Sequence, residues 1–384
     1  MQRLTGSVQN YAWGSTTLLA QLRGEAVSID PEAEIWYGAH PGAGTFFDDG
    51  SSLLEAIEAD PVDVLGQGLV DRFGAKLPFL LKLLAAGSPL SIQAHPSIDQ
   101  AVAGFAAEEA SGIDRTDPTR SFKDDNHKPE LICAITPFEA LVGFRPVEET
   151  LQYFASLGFS AFDALLRDAG PKGVVEAVLD PSDAQEVAHL VGALVGACAR
   201  YQGEWAAEAA LLCRLAEQYP GDAGIIVAGL LNYVTLEPGQ ALFLDAGNMH
   251  AYVGGLGVEI MANSDNVLRG GLTPKHIDVP NLLDVVVPDT LHPAFVDVDE
   301  DGNYLTPAPE FTLRRLELSE QPTVEGPSIV LSTASDVTVD SGVVQLNLAA
   351  TEAAWIGAGE QAVVAGDGTA WLASANLATT LDVG

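Results

Sequence analysis

The hydrophobic positions of this chain follow two different periods. Between Leu77 and Arg145 short apolar runs alternate with turn residues, and this pattern predicts β-strands. Between Val147 and Tyr219 apolar residues recur every three or four positions, which predicts helices interrupted at Gly170 and Pro171. Strand-like segments then resume. We therefore predict a mainly β protein with an α-helical insertion.

Two further features of the pattern bear on the strand-rich parts. The acidic segment 108–126 contains four aspartates and a proline, and it is predicted to be an exposed loop. The segment Leu236–Asn248 shares its apolar positions with Leu348–Glu360, which predicts two related β-barrels. In the second copy Ala362 takes the place of His250, so any metal site is expected in the first barrel alone.

Length and composition limit the possible classes of protein. A chain of 384 residues exceeds the size of one core, roughly 250 to 300 residues, so two or three domains are expected. The start of the chain does not resemble a signal peptide and no apolar run is long enough for a bilayer, so we expect a cytoplasmic protein. Its three cysteines lack the spacing of a disulfide framework or a thiolate metal site and are expected to be ordinary buried thiols.

The chain is strongly acidic, with 53 acidic and 18 basic residues and a net charge of −35. Nucleic acids and anionic membranes bind basic surfaces, so neither is an expected partner. An anionic ligand could approach this protein only where positive charge is concentrated locally. Each group of lysines and arginines is therefore informative.

Four polar residues in strand-like segments form a candidate metal site. Gln93 and His95 are two apart on one predicted strand and so share a face, Glu130 opens a buried strand, and His250 follows a turn and a short strand. Together they offer nitrogen and oxygen ligands that suit zinc, although iron, manganese or cobalt also fit. An alternative for Glu130 is an ion pair with Lys128 at the strand edge.

A group of charged residues follows His250 in an otherwise apolar or glycine-rich stretch. It contains Glu259, Asp265, Arg269 and Lys275. Each has a simpler explanation, since Arg269 could pair with Asp265 and Lys275 could be a solvated loop residue. Yet these cations, with Lys128, are concentrated in the segments that carry the ligand candidates. That concentration is what a phosphate dianion needs.

The motifs that carry these residues closely resemble those of the type I mannose-6-phosphate isomerase family. The matching segments are QNYAWGS, PLSIQAHPS, DDNHKPELICAITPFEALVGFR and SDNVLRGGLTPKHIDV, in family order over about the first three quarters of the chain. The resemblance implies one zinc per chain held by Gln93, His95, Glu130 and His250. It also implies a central catalytic cupin (jelly-roll) domain of residues 1-146 plus 222-288, a helical domain 147-221, and a cupin-like β-domain 289-384 without metal.

The resemblance also implies the reaction, an interconversion of mannose 6-phosphate and fructose 6-phosphate through an enediolate. Arg269 and Lys128 then correspond to catalytic residues, and Glu259 lines the pocket. The general base stays open between Glu259, Asp265, Lys128 and His127, each of which needs a pKa near the operating pH to be efficient, and we rank Glu259 and Lys128 first.

Substrate binding is implied for a second set of residues. Ser91 and Lys275 correspond to the family's phosphate contacts, Tyr252 lines the pocket, and Asp265 is assigned to substrate binding. One departure from the family pattern is Ile98, which stands where many members have lysine and so removes a positive charge near the pocket. The expected partner is a phosphosugar, and we expect a monomer that serves carbohydrate metabolism, either in GDP-mannose biosynthesis or by routing mannose into glycolysis.

Two other classes of protein remain as alternatives. A non-catalytic metal- and sugar-binding cupin would not need Arg269 and Lys275 near the metal. An iron-dependent cupin oxygenase would use two histidines and one carboxylate, and both Gln93 and the cationic residues argue against it.

Overall fold

The computed structural model describes residues 1–288 and 295–377. Residues 289–294 and 378–384, at the two ends of the predicted third domain, lie outside the described residues. The described chain is mixed, rich in sheet, and includes eleven helices. None of the described helices is long and apolar enough to cross a membrane.

The larger sheet system has ten antiparallel strands. Its strands are β2 (Ser7–Gln9), β3 (Glu34–Gly38), β5 (Phe79–Ala86), β6 (Ile92–Ala94), β7 (Glu130–Ala134), β8 (Phe138–Phe144), β9 (Leu231–Leu236), β10 (Ala241–Leu244), β11 (His250–Ala262) and β12 (Leu268–Gly271). Strand β11 is the centre of this system, because its C-terminal part pairs with β5 and β7 while its N-terminal part pairs with β6 and β8. Between these two parts lies Gly255, whose φ is 122° and where a Cβ would lie 2.7 Å from the Pro137 carbonyl oxygen, so a side chain is excluded.

A second sheet has seven strands, and a third has four. The seven are β1 (Gln2–Thr5), β4 (Phe46–Phe47), β13 (Asn303–Tyr304), β14 (Thr312–Glu317), β16 (Ser328–Ser332), β19 (Ala353–Ile356) and β21 (Thr369–Ser374). The four are β15 (Thr323–Glu325), β17 (Asp336–Asp340), β18 (Gln345–Leu348) and β20 (Gln361–Asp367). Strands β1 and β4 come from residues assigned to the central domain, yet β1 pairs with β19, so the N-terminal segment takes part in the sheet of the C-terminal region.

The repeated segments form matching strands. Strand β9 ends at Leu236 and β18 ends at the aligned Leu348, while β10 (Ala241–Leu244) aligns with β19 (Ala353–Ile356). The similarity of apolar positions in the sequence therefore reflects equivalent strand pairs.

The helices follow the predicted helical period and also occur outside it. They are α1 (Leu18–Arg23), α2 (Leu53–Ala59), α3 (Pro61–Leu65), α4 (Gln67–Phe73), α5 (Ile98–Ser111), α6 (Val147–Ser156), α7 (Asp163–Leu179), α8 (Ala184–Cys198), α9 (Ala206–Gln218), α10 (Gly224–Leu230) and α11 (Val279–Val285). The predicted interruption is confirmed, since α7 is kinked at Gly170, where φ is 66°, before Pro171. Helices α6 to α10 share one apolar core with β6 and β12, which fixes these two strands at the site described below.

The prediction of an exposed loop over 108–126 is wrong in part. Glu108 lies in α5, and its carboxylate accepts hydrogen bonds from the backbone amides of Ser121 and Phe122. Arg120 is also buried, with its guanidinium bonded to Glu109 and to two carbonyls. These bonds satisfy the polar groups of the segment, which allows Phe122 to pack into the core. Most of residues 111–119 are exposed as predicted.

Candidate active site

Three of the four predicted metal ligands converge in the ten-stranded system. His95 follows β6, Glu130 opens β7 and His250 opens β11, and ligand atoms of all three lie within 4.8 Å of one another. The Nε2 atom of His95 is 3.5 Å from one oxygen of Glu130, and Nε2 of His250 is 3.4 Å from the other. All three side chains are buried. The antiparallel sheet thus brings together residues that are far apart in sequence.

The hydrogen bonds around the triad leave its ligand atoms free. Nδ1 of His95 lies 2.7 Å from the Asn266 carbonyl oxygen and Nδ1 of His250 lies 3.0 Å from the Asn248 carbonyl oxygen. A carbonyl only accepts, so each Nδ1 carries the proton and each Nε2 lone pair faces Glu130. Within the described part of the chain both Nε2 atoms and Oε2 of Glu130 are buried without a hydrogen-bond partner. A metal ion would satisfy all three atoms, and the donor set fits zinc.

The protonation states agree with this fit. Burial lowers the pKa of His95 to about 4, so its imidazole is neutral at physiological pH. Burial alone would raise the pKa of Glu130, but Lys128 and the histidines hold it well below the ordinary range. The site therefore presents neutral imidazole and anionic carboxylate, the forms that bind divalent metals.

The ion pair between Glu130 and Lys128, which the sequence analysis gave as an alternative to metal binding, is present together with the triad. Lys128 Nζ is 2.9 Å from Oε1 of Glu130, the oxygen that also lies 3.5 Å from Nε2 of His95, while Oε2 lies 3.4 Å from Nε2 of His250. Gln93 lies beside them on β6, where it pairs in register with His250 on one side and Arg269 on the other. Its side chain is half-buried at the cavity wall. Gln93 is thus well placed to complete the ligand set.

A cavity of about 260 Å³ opens next to the triad. Glu259, predicted from the sequence, lines it, and so do Lys82, Glu34 and Trp36, which the sequence analysis missed. Lys82 Nζ is 3.0 Å from a Glu259 oxygen and 3.5 Å from a Glu34 oxygen. One feature could have revealed Lys82, because it is the single charged residue in the apolar run FLLKLLAA, where an unpaired lysine would be costly.

The buried groups in this wall have strongly shifted proton affinities. Burial would lower the pKa of Lys82, but the carboxylates of Glu259 and Glu34 raise it above the ordinary range, so Lys82 stays protonated. Burial raises the pKa of Glu259, which moves that carboxyl towards neutral pH. Burial, followed by the charges of Glu259 and Glu130, raises the pKa of Tyr252 well above its usual value, so its phenol stays a proton donor. A carboxyl with a raised pKa in a cleft is a candidate general base.

The cations predicted around the site face the same space. Arg269 on β12 does not pair with Asp265, and it forms no ion pair anywhere in residues 1–288 and 295–377. Burial lowers the pKa of Arg269. Partial desolvation of its ammonium, followed by the charges of Arg269 and Lys123, lowers the pKa of Lys275, whose side chain is otherwise exposed. Lys123 was missed by the sequence analysis, and it also lines the cavity. These mutually repelling cations are a candidate anion site.

A second cavity of about 480 Å³ adjoins the first and shares Gln93, Arg269 and Lys275 with it. Ser91, the predicted phosphate contact, lines this second cavity. Gln93 and Glu130, of the metal candidates, and the cations therefore line two adjoining cavities that form one recess, with His95 and His250 buried behind Glu130. Ile98, at the start of α5, is 45% exposed and lines neither cavity.

Two of the four candidate bases lie outside the recess or at its exposed edge. His127 lines neither cavity, and its Nε2 lies 2.7 Å from a carboxylate oxygen of Glu310. Asp265 lies at the cavity wall with half of its side chain exposed, 3.4 Å from Nε2 of His40. Interaction with His40 lowers the pKa of Asp265. Glu259 and Lys128 are therefore the buried candidates within reach of the recess.

Comparison with known proteins shows the family of this chain. Residues 1–147 match the family model described as the catalytic domain of type I phosphomannose isomerase. The mannose-6-phosphate isomerase of Escherichia coli (strain K12) is 37% identical over 392 residues, covering 94% of this chain and 96% of that protein. This chain belongs to the type I mannose-6-phosphate isomerase family. It is therefore an isomerase, which decides against the non-catalytic cupin and the iron oxygenase.

Other relatives extend over most of the chain. The human mannose-6-phosphate isomerase is 33% identical, with 89% of this chain and 87% of the human protein covered. A solved structure of mannose 6-phosphate isomerase from Salmonella typhimurium, bound to its substrate fructose 6-phosphate and a zinc atom, is 35% identical with a TM-score of 0.89. It covers 98% of this chain and 99% of the other. The architecture described above is therefore that of the family.

Proposed function

We propose that this enzyme interconverts mannose 6-phosphate and fructose 6-phosphate with one zinc ion per chain. The observation that carries the proposal is the buried triad of His95, Glu130 and His250, whose three orphaned ligand atoms adjoin the recess. Arg269, Lys123 and Lys275 line that recess and have no ion-pair partner among the described residues. Gln93 is proposed as the fourth ligand. The Salmonella relative, solved with fructose 6-phosphate and zinc, supports both the substrate and the metal.

The reaction itself requires a base and a means of stabilising an oxyanion. A proton leaves C2 of the aldose, an enediolate forms, and a proton returns at C1. Zinc bound at this site would supply Lewis-acid stabilisation of negative charge on the sugar oxygens. Arg269 adds a fixed positive charge in a partly desolvated wall, where electrostatic stabilisation is strong.

Glu259 is the base that we propose. It is 2% exposed, its pKa is raised by burial, and Lys82 holds one of its oxygens at 3.0 Å. Lys128 is less suitable, because its ammonium is engaged with Glu130 at 2.9 Å and offers no lone pair while protonated. Tyr252 presents a protonated phenol beside Glu259, which suits a role in binding a sugar hydroxyl.

The substrate phosphate is proposed to bind away from the reacting carbons. Lys275 and Ser91 line the second cavity, Arg269 lines both cavities, and Lys123 adds positive charge in the first. Binding energy at the phosphate then holds C1 and C2 near Glu259, which raises the effective concentration of the reacting groups. Asp265, exposed at the wall, is proposed as a contact for sugar hydroxyls.

The domain assignment is also a proposal. The ten-stranded system is proposed as the catalytic cupin, residues 147–221 as a helical domain, and the C-terminal strands as a cupin-like domain without metal. The matching strands β10 and β19, with Ala362 where His250 stands in the first copy, support this division. We expect a cytoplasmic monomer that contributes to GDP-mannose biosynthesis.

Conversion of mannose 6-phosphate to fructose 6-phosphate by the purified protein tests the function. The protein is assayed as isolated, after chelation, and after zinc is restored, with bound zinc measured in each sample. Activity lost on chelation and recovered with zinc is expected. If the folded, zinc-loaded protein does not convert mannose 6-phosphate to fructose 6-phosphate, the proposed substrate is wrong.

A further inference from the structure

Four buried side chains form a row across three neighbouring strands beside the recess. Glu259 on β11 pairs in register with Lys82 on β5, and Lys82 pairs in register with Trp36 on β3. Residues directly opposite each other on adjacent strands project to the same face of a sheet. Glu34 precedes Trp36 by two positions and so shares that face. All four line the cavity.

The contacts in this row are specific. The Trp36 indole Nε1–H donates to Oε2 of Glu34 at 2.7 Å, and Lys82 Nζ lies 3.5 Å from Oε1 of the same carboxylate. The other side of the ammonium lies 3.0 Å from Oε2 of Glu259. Nζ of Lys82 is also 5.1 Å from the centroid of the Trp36 ring, within range of a cation–π contact. Each of the four side chains is at least nine-tenths buried.

Stability alone does not explain why the carboxylate of Glu34 lies beside Lys82 in addition to that of Glu259. A buried pair of Lys82 and Glu259 would already be neutral, and a further buried anion costs free energy. Glu34 leaves two carboxylates around one ammonium, which weakens the attraction of Lys82 for either one. Buried charges that cost stability in a cleft are typical of functional sites.

We propose that Glu34, anchored by the Trp36 indole, is a positioning residue that shares Lys82 with Glu259 and so keeps Glu259 available as the proton acceptor. The inference rests on the proposed function, in which Glu259 removes the C2 proton. Without Glu34, the full charge of Lys82 would bind the Glu259 carboxylate as an inert ion pair. Trp36 keeps Glu34 on Lys82 by holding its second oxygen.

The direction of the effect follows from the charged side chains that act most strongly on the Glu259 carboxylate. Burial, Glu130 and Glu34 raise the pKa of Glu259, whereas Lys82 and Lys128 lower it. Removing the charge of Glu34 therefore lowers the pKa of Glu259. Tyr252 stays a neutral phenol on the same strand and adds no charge. The carboxylate then becomes a weaker base that is ionised at lower pH.

The test compares kcat as a function of pH for the zinc-loaded wild-type enzyme and the Glu34→Gln and Trp36→Phe variants. Glu34→Gln is expected to lower kcat on the order of tenfold. It is also expected to move the acidic limb of the profile of kcat against pH to lower pH. Trp36→Phe keeps every charge but removes the donor to Glu34. It is expected to lower kcat with the acidic limb near that of the wild type. kcat is preferred to kcat/KM because the substrate phosphate titrates in the same range.

The matched control is Glu139→Gln, which removes a partly buried, ion-paired carboxylate that lines neither cavity. It is expected to keep the wild-type profile. A fall in kcat for Glu34→Gln without movement of the limb would indicate a structural role and overturn the inference. If Glu34→Gln does not fold, a wild-type kcat for folded Trp36→Phe overturns it. The underlying function fails separately, when the wild-type enzyme itself shows no conversion.

Discussion

Arg269→Met is the substitution that best separates catalysis from stability in this enzyme. Methionine keeps the aliphatic bulk of the side chain and deletes the guanidinium. In the described residues Arg269 has no carboxylate partner, and burial lowers its pKa, so its charge is not stabilised by the fold. We therefore expect the melting temperature to stay the same or to rise. The cost should appear in activity alone.

The size of that cost follows from the role we assign to Arg269. A fixed donor aimed at developing negative charge contributes roughly 100- to 1000-fold to kcat, or about 2.7 to 4 kcal/mol. Steady-state kinetics with mannose 6-phosphate measure this loss as kcat and KM separately, with melting temperature and bound zinc checked in parallel. Arg115→Met is the control, because Arg115 is a surface residue paired with Glu109.

Two results would refute the reasoning about Arg269. A raised KM with unchanged kcat would show that Arg269 binds the substrate and its transition state equally, as a phosphate contact does. A loss of activity accompanied by a lower melting temperature or loss of zinc would show a structural role. Either result would leave the oxyanion without its proposed cationic partner.

Three further predictions concern the metal, the base and the thiols. His250→Ala should abolish stoichiometric zinc binding, measured by elemental analysis, and should remove the ligand-linked stabilisation of about 4 kcal/mol expected at zinc concentrations near 1000 times Kd. Glu259→Gln should lower kcat on the order of 100- to 10,000-fold while zinc stays bound. In the wild-type enzyme kcat should fall as the pH drops through the raised pKa of Glu259, because only the ionised carboxylate accepts a proton. Burial raises the pKa of Cys133 to about 12 and of Cys198 to about 11, so a thiol reagent at pH 8 should modify the half-buried Cys213 first and reach the other two only after unfolding.

Each of these predictions has its own contradicting outcome. Full zinc content in the His250 variant would exclude it as a ligand, and wild-type kcat in the Glu259 variant would transfer the role of base to another group. Rapid labelling of all three cysteines in the native enzyme would contradict the buried positions of two of them.

Much of the site could be predicted because its residues lie in short, distinctive segments. The two-residue spacing of Gln93 and His95 on a predicted strand implied a shared face, and the apolar pattern predicted the turn and the strand before His250. The helical insertion and the break at Gly170 followed from periodicity and backbone preference. These features depend on local geometry, which neighbouring residues in the chain determine.

The remaining features depend on which strands lie side by side. The row of Glu259, Lys82 and Trp36 exists only because β11, β5 and β3 are neighbours in one register, and no local pattern encodes that pairing. His127 likewise pairs with Glu310, 183 positions away in the chain, a contact between two loop residues that no local pattern indicates. The sequence by itself determined the chemical groups available and the elements that carry them. The tertiary structure decided which of those groups share a buried, low-dielectric space, and proton affinity depends on that space.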